Sequence, residues 1–301
     1  MVAASIWTFL LASTASVCAQ NGAFELPCGN NVKRTNVVAR DWHVERRNSY
    51  HSRRADNMTS LLPIDVYMHV ISSDGTEEGG NMNDALLGTQ MDILNERFQP
   101  VGFKFNLLET NRVINEEWYY NLKVASRYET SVSLALRKGD IATLNIYVMG
   151  ATNTTTHAWA SYPASQAVWD GVFINNTVMF GGSDSVYTSG ITLIHEVGHW
   201  FGLEHTFANG CDRDYDFVAD TPREDQPWVL GVCDETQDSC PDHPGLDSVH
   251  NYMAYTSDEC RTEFTPGQIR RMREQMTKFR GVAYPGIIVE DIPEDSYDTP
   301  R

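Results

Sequence analysis

Between Leu62 and Val70 the apolar residues Ile64, Val66, Met68 and Val70 alternate with Asp65, Tyr67 and His69, the period of a half-buried strand. From Asn83 to Phe98 the spacing becomes helical, with Leu86, Leu87, Met91, Leu94 and Phe98 near one face. Alternation returns at Phe103, Phe105 and Leu107, which predicts a second strand. Tyr128 to Arg137 reads as a helix, Leu144 to Met149 as a strand, and Asp170 to Ile174 as a short strand in a Gly- and Asn-rich setting. The order β-α-β-α-β predicts an α/β layered domain with a mixed sheet. Near the end, Thr265 can cap a helix, Pro266 suits its first turn and Gln268 completes a capping box. Ile269, Met272 and Met276 then line one face, and Gly281 stops the helix.

Less patterned segments flank this core. Ile6 to Val17 is a short apolar stretch, and Val17-Cys18-Ala19 offers a small residue for cleavage before Gln20, as in a signal peptide. Residues 20–60 are polar and carry the dibasic pairs Arg46-Arg47 and Arg53-Arg54, which suits a pro-segment or linker. The expected organisation is a signal peptide at 1–19, a pro-segment or linker at 20–60, a folded domain at 61–285 and an acidic tail at 286–301. The N-terminal apolar run is too short to span a bilayer. The acidic segment Glu290-Asp291-Ile292-Pro293-Glu294-Asp295 argues against a lipid-anchor signal. An exported protein without a membrane anchor is expected.

Composition narrows the function classes. The 301 residues allow one large domain with an appendage or two small domains. An apolar content of 42% excludes global disorder, and a net charge of −17 would repel a nucleic-acid backbone. If Cys18 leaves with the signal, Cys28, Cys211, Cys233, Cys240 and Cys260 remain, four of them clustered. Sequons at Asn57, Asn153 and Asn175 are compatible with glycosylated surface loops, or with chance.

The chemistry is concentrated in Thr192-Leu193-Ile194-His195-Glu196-Val197-Gly198-His199-Trp200-Phe201-Gly202-Leu203-Glu204-His205. On a helix, residues four apart lie about 40° apart, so His195 and His199 share a face and can meet one Zn²⁺. Glu196 can then reach the metal's water as its base. A continuing helix would carry His205 roughly 9 Å further and around to another side. Gly202 permits the left-handed turn that ends the helix and returns His205 to the metal. By chance, His-Glu-x-x-His occurs in roughly one chain per hundred of this length, and the added Gly and His lower that to about one in a hundred thousand. A packed amphipathic helix is thereby a poor alternative. Three neutral imidazoles leave a tetrahedral site one position short, the pattern of a catalytic zinc. The remaining position holds water, which the zinc acidifies and Glu196 deprotonates before passing the proton to the leaving amine. The other histidines, including His157, His243 and His250, read as ordinary surface or core residues.

The extended sequence resembles a metzincin, and downstream the pappalysin family. The resemblance rests on the zinc motif, on His205-Thr206-Phe207, Cys211 and Asp220-Thr221-Pro222, and on the cysteines flanking Asn251-Tyr252-Met253-Ala254-Tyr255. It implies a metzincin-like catalytic domain: a twisted mixed sheet, an active-site helix above it, and a loop-rich, disulfide-stapled lower half ending in a helix. It implies that Met253 floors the zinc, which differs little from a generic core methionine. Tyr255 is expected to stabilise the oxyanion, against the alternative of a merely packed tyrosine. The pairs Cys211–Cys240 and Cys233–Cys260 are implied, although four cysteines alone permit three pairings. Calcium is suggested near Asp212-Arg213-Asp214-Tyr215-Asp216-Phe217-Val218-Ala219-Asp220-Thr221, against a solvated acidic loop. Asp258 is expected in the S1′ wall, implying preference for basic P1′ residues, unless it points to solvent. Cys28, in Glu25-Leu26-Pro27-Cys28-Gly29, shares only its Cys-Gly pair with known latency segments. It is a candidate zinc-binding latency switch, against an extra disulfide or free thiol. The function implied is a secreted endopeptidase acting on proteins or peptides. The rival from another class is a catalytically dead binding protein, against which the retained Glu196 argues.

Overall fold

The computed structural model describes residues 61–150, 156–163, 168–208, 210–212, 216–225 and 230–288. Strand β1 (Leu62–Ser72) follows the alternation at its start and pairs in parallel with β2 (Phe103–Ile114) and β3 (Leu144–Met149). Strand β4 (Ala158–Ala160) is antiparallel to β5 (Val172–Asn175), which pairs in parallel with β3. The described residues thus form a mixed sheet in the order β2-β1-β3-β5-β4. The expected mixed sheet is present, with its one antiparallel strand at an edge.

Helices cover both faces. The first core packs Ile64, Val66, Met68 and Val70 against α1 (Asp84–Phe98) and α4 (Ile191–Trp200), through residues such as Leu94, Phe98, Leu193 and Val197. The second packs Ile71, Tyr147 and Phe173 against α2 (Glu116–Asn121) and α3 (Arg127–Leu136), through Tyr119, Leu122 and Val132. Cover on both sides changes the half-buried reading of β1. His69 is fully buried, donates to Asn145 Oδ1 at 3.0 Å and stacks on Tyr147. Leu107 departs from its expected inward alternation. It is 37% exposed at the edge of the sheet, and the β1–β2 register shifts beside it, so that Val66 opposes Leu107 while Tyr67 opposes Glu109.

The lower half is mostly loop and closes with α5 (Pro266–Phe279). Its capping box is complete, with Thr265 accepting from Gln268 N and Gln268 from Thr265 N. Gln268 also exchanges two hydrogen bonds with Asn251, at 2.8 and 2.9 Å, which fastens the helix start to the turn containing Met253. At the other end, the Arg280 guanidinium meets both oxygens of Asp170 at 3.0 Å and stacks over Trp200. This buried fork joins the end of α5 to the end of α4 and the approach to β5. Disulfides Cys211–Cys240 and Cys233–Cys260 cross-link the loops, with Cα atoms 5.5 and 5.8 Å apart. Among the described residues, no helix is long and apolar enough to cross a membrane. The Asn175 sequon is not in a surface loop: Asn175 is buried at the end of β5, and its Nδ2 donates to Thr156 O. Asn57, Asn153, Cys28, the expected leader and pro-segment, and residues 289–301 lie outside the described residues.

Candidate functional site

Helix α4 is buried along its whole length, which its apolar residues favour and its histidines make costly. Gln90 of α1 fixes the start by donating to Gly190 O at 3.0 Å. At the end, Gly202 N donates to His199 O and Leu203 N to Gly198 O, a Schellman arrangement. Gly202 adopts φ +94°, a conformation that strains any residue bearing a Cβ. Past this turn the chain doubles back and carries His205 towards α4.

The three imidazoles converge. His195, His199 and His205 have their Nε2 atoms 3.1, 3.1 and 3.2 Å apart, and all three rings are buried. His195 Nδ1–H donates to Tyr252 O and His199 Nδ1–H to Leu203 O, both at 2.7 Å, which fixes those tautomers and leaves each Nε2 a bare acceptor. Burial holds the His195 and His205 pKa values well below normal, with smaller contributions from neighbouring imidazoles, and lowers His199 to about 4. Neutral rings with lone pairs directed at one point fit a divalent cation, and a three-nitrogen set with room for a further ligand fits zinc.

Other groups surround this point. The Tyr255 hydroxyl lies 3.1 Å from His205 Nε2, and Phe207 stacks on the His205 ring. Met253 is fully buried beneath α4, so close that a Cβ on Gly198 would lie 2.6 Å from its Sδ. Glu196 is buried and lines a small cleft beside the triad, together with His157, Tyr187, Thr192 and Arg261. His157, read above as an ordinary histidine, is therefore part of the cleft.

Asp258 does not line that cleft. Its Oδ2 accepts from Ser189 N at 2.8 Å and its Oδ1 from Arg261 Nη2 at 2.6 Å, with 1% of the side chain exposed. A carboxylate already matched by a guanidinium offers no free charge to a basic P1′ residue, so the preference expected from Asp258 loses its physical basis. Asp220 accepts from the Thr265 hydroxyl and Gly267 N, and Asp216 from the Thr221 hydroxyl and Val218 N. These two carboxylates of the loop considered for calcium serve protein donors, while its residues 213–215 lie outside the described residues.

Several contacts carried no local sequence signal. Tyr162 donates to Glu204 at 2.7 Å, across 42 residues, and its oxygen lies 3.4 Å from His199 Nδ1. Glu224 accepts from the Thr206 hydroxyl, next to His205, and from Ser248 N at 2.6 Å. Arg261 could have been paired with Asp258 from their three-residue separation, but its place in the cleft could not.

Known proteins match both sequence and fold. The peptidase family M43, described as pregnancy-associated plasma protein-A, matches residues 139–277. An extracellular metalloprotease of Pyricularia oryzae is 40% identical over 225 residues, covering 73% of this chain and 77% of the relative. Another, from Colletotrichum graminicola, is 37% identical, covering 79% and 87%. Mature mirolysin of Tannerella forsythia, solved in complex with a cleaved peptide, shares the fold with a TM-score of 0.63 at 24% identity, covering 76% of this chain and all of that one. The chain belongs to the pappalysin-type extracellular metalloproteases of this family.

Proposed function

We propose that the chain is a zinc-dependent endopeptidase in which His195, His199 and His205 hold the metal, Glu196 is the general base and Tyr255 the oxyanion donor. The convergence of three buried, neutral Nε2 atoms within 3.2 Å of one another, beside Glu196, carries this reading. Zinc, when bound, supplies a Lewis acid that acidifies water and polarises a carbonyl. Glu196 accepts a proton from the attacking water and returns it to the leaving amine. The Tyr255 hydroxyl donates to the oxygen on which negative charge develops. Carbonyls of Tyr252 and Leu203 hold two of the ligand rings in the tautomer that keeps Nε2 available.

The proposal includes a signal peptide at 1–19, a pro-segment at 20–60, a catalytic domain at 61–285 and an acidic tail at 286–301. Cys28 is its candidate latency thiol, and a precursor carrying Cys28→Ser that stayed fully latent would remove that part. A calcium ion near residues 212–221 stays a candidate within the proposal, and unchanged thermal stability on calcium-specific chelation with zinc retained would remove it; the buried ion pair with Arg261 speaks against a basic P1′ preference set by Asp258.

Proteolysis of an unstructured protein substrate tests the core. The processed chain should cleave it, lose activity to a zinc chelator, regain it with zinc, and lose it in Glu196→Ala while still binding zinc. An inert, zinc-loaded wild type would favour the binding-protein rival instead.

A further inference from the structure

We infer that Tyr162 is a positioning residue of the metal site, acting through Glu204 and His199. The inference rests on the zinc reading above and names a support of that site. Three consecutive residues return the chain from α4 to His205, and each is tied to a different element. Gly202 O accepts from Arg271 Nε of α5 at 2.9 Å. Leu203 O accepts from His199 Nδ1–H of α4 at 2.7 Å. The Glu204 carboxylate accepts from the Tyr162 hydroxyl at 2.7 Å, and Tyr162 stands just past the end of β4. The first two ties grip main-chain carbonyls, and the third grips a side chain one residue before His205.

The same hydroxyl has a second contact on the site. With its proton given to Glu204, the Tyr162 oxygen lies 3.4 Å from His199 Nδ1 and offers the Nδ1–H, already bonded to Leu203 O, a longer second acceptor. The phenol ring also meets the His199 imidazole edge to face, with centroids 5.6 Å apart and planes 69° apart. Carboxylate, phenol and imidazole thus form one chain that ends on a metal-facing ring. Such chains polarise along their length, and a stronger pull on Nδ1–H makes Nε2 a better electron-pair donor. The backbone beside Tyr162 is well anchored. Ser161 N donates to Gly171 O at 3.0 Å, and the Ser161 hydroxyl donates at 2.7 Å to Asp170 Oδ1. That carboxylate is also held by Arg280 and by Trp200 at the end of α4. Tyr162 is therefore fixed to the end of α4 on one side and to the return segment on the other. The competing view is that the Tyr162 ring only packs against His199, and that the triad keeps its geometry without the hydroxyl.

Zinc affinity of the processed chain, measured by competition with a chromophoric chelator, separates these views, and the visible spectrum of the Co²⁺-loaded protein reads the geometry. Tyr162→Phe keeps the ring and removes the hydroxyl. It should weaken zinc binding about tenfold or more and shift the cobalt bands, while the zinc-free variant still unfolds cooperatively near the wild-type temperature. Glu204→Gln keeps an acceptor for the phenol and should retain most of the affinity, whereas Glu204→Leu should lose about as much as Tyr162→Phe. Combining Tyr162→Phe with Glu204→Leu should cost little more than either change alone, because both break one chain. Wild-type zinc affinity with an unaltered cobalt spectrum in Tyr162→Phe overturns the inference and leaves the zinc reading intact. Losses in Tyr162→Phe and Glu204→Leu that simply add do the same. Should Tyr162→Phe fail to fold, the contrast between Glu204→Gln and Glu204→Leu decides alone, and equal affinities overturn the inference. A wild type that binds no zinc overturns both readings.

Discussion

Tyr255 shows how much depends on single atoms in this site. Its hydroxyl is 3.1 Å from His205 Nε2, close to where the three imidazole nitrogens converge. Removing the oxygen while keeping the ring should leave packing against Phe207 and His205 intact. Tyr255→Phe is therefore expected to lower kcat about a hundredfold with little change in KM, as loss of an oxyanion donor does. Unchanged kcat would return Tyr255 to a packing role. At this scale the sequence was legible where chemistry follows from local spacing, as for His195, Glu196 and His199. It was silent where long-range folding decides. Tyr162 reaches Glu204 from another loop, His157 joins the cleft at the start of the edge strand, and the charge of Asp258 is cancelled by a partner whose orientation spacing does not reveal.

The secondary-structure elements position these atoms through a few tight backbone junctions. Gly198 is one, because an added Cβ would fall 2.6 Å from Met253 Sδ. Gly198→Ala should push Met253 from beneath the triad and destabilise the fold by about 1–3 kcal/mol, as overpacking of a dense core does. Thermal unfolding of the zinc-loaded protein measures this, and an unchanged midpoint would show that the floor yields freely. Gly202, at φ +94°, is the other junction, and alanine there should cost about 1–2 kcal/mol and weaken zinc retention. Long elements with clear periods, such as β1, α1 and the capped α5, could be read from pattern alone. The six-residue α2 and the three-residue β4 could not, since neither completes enough of a period to stand out. The displaced Leu107 arises from a register shift at an edge strand, which alternation does not encode.

Across the whole molecule, the α/β class and mixed sheet followed from element order, and the crossed disulfides from family resemblance, while the two-sided cover of the sheet became evident only in three dimensions. Buried carboxylates give the fold a further property. Burial raises Glu224 from an ordinary value of 4.5 to about 7, although its hydrogen bonds to Thr206 and Ser248 oppose that shift. Between those values the folded chain keeps a proton that the unfolded chain has released. This contribution is complete below about pH 4.5 and is lost as pH rises through 7, with a span of about 3 kcal/mol at most. Glu224→Gln should remove the slope, so the stability of wild type minus variant should fall between those pH values; a constant difference would contradict it.

The central claim is that one zinc is held by three returning histidines. Metal analysis of the purified enzyme, combined with zinc-edge X-ray absorption, tests it most directly. One zinc per chain bound by three imidazole nitrogens, and lost from a folded His205→Ala variant, is the predicted result. A chain without zinc, or a His205→Ala variant that keeps a full equivalent, would contradict the account.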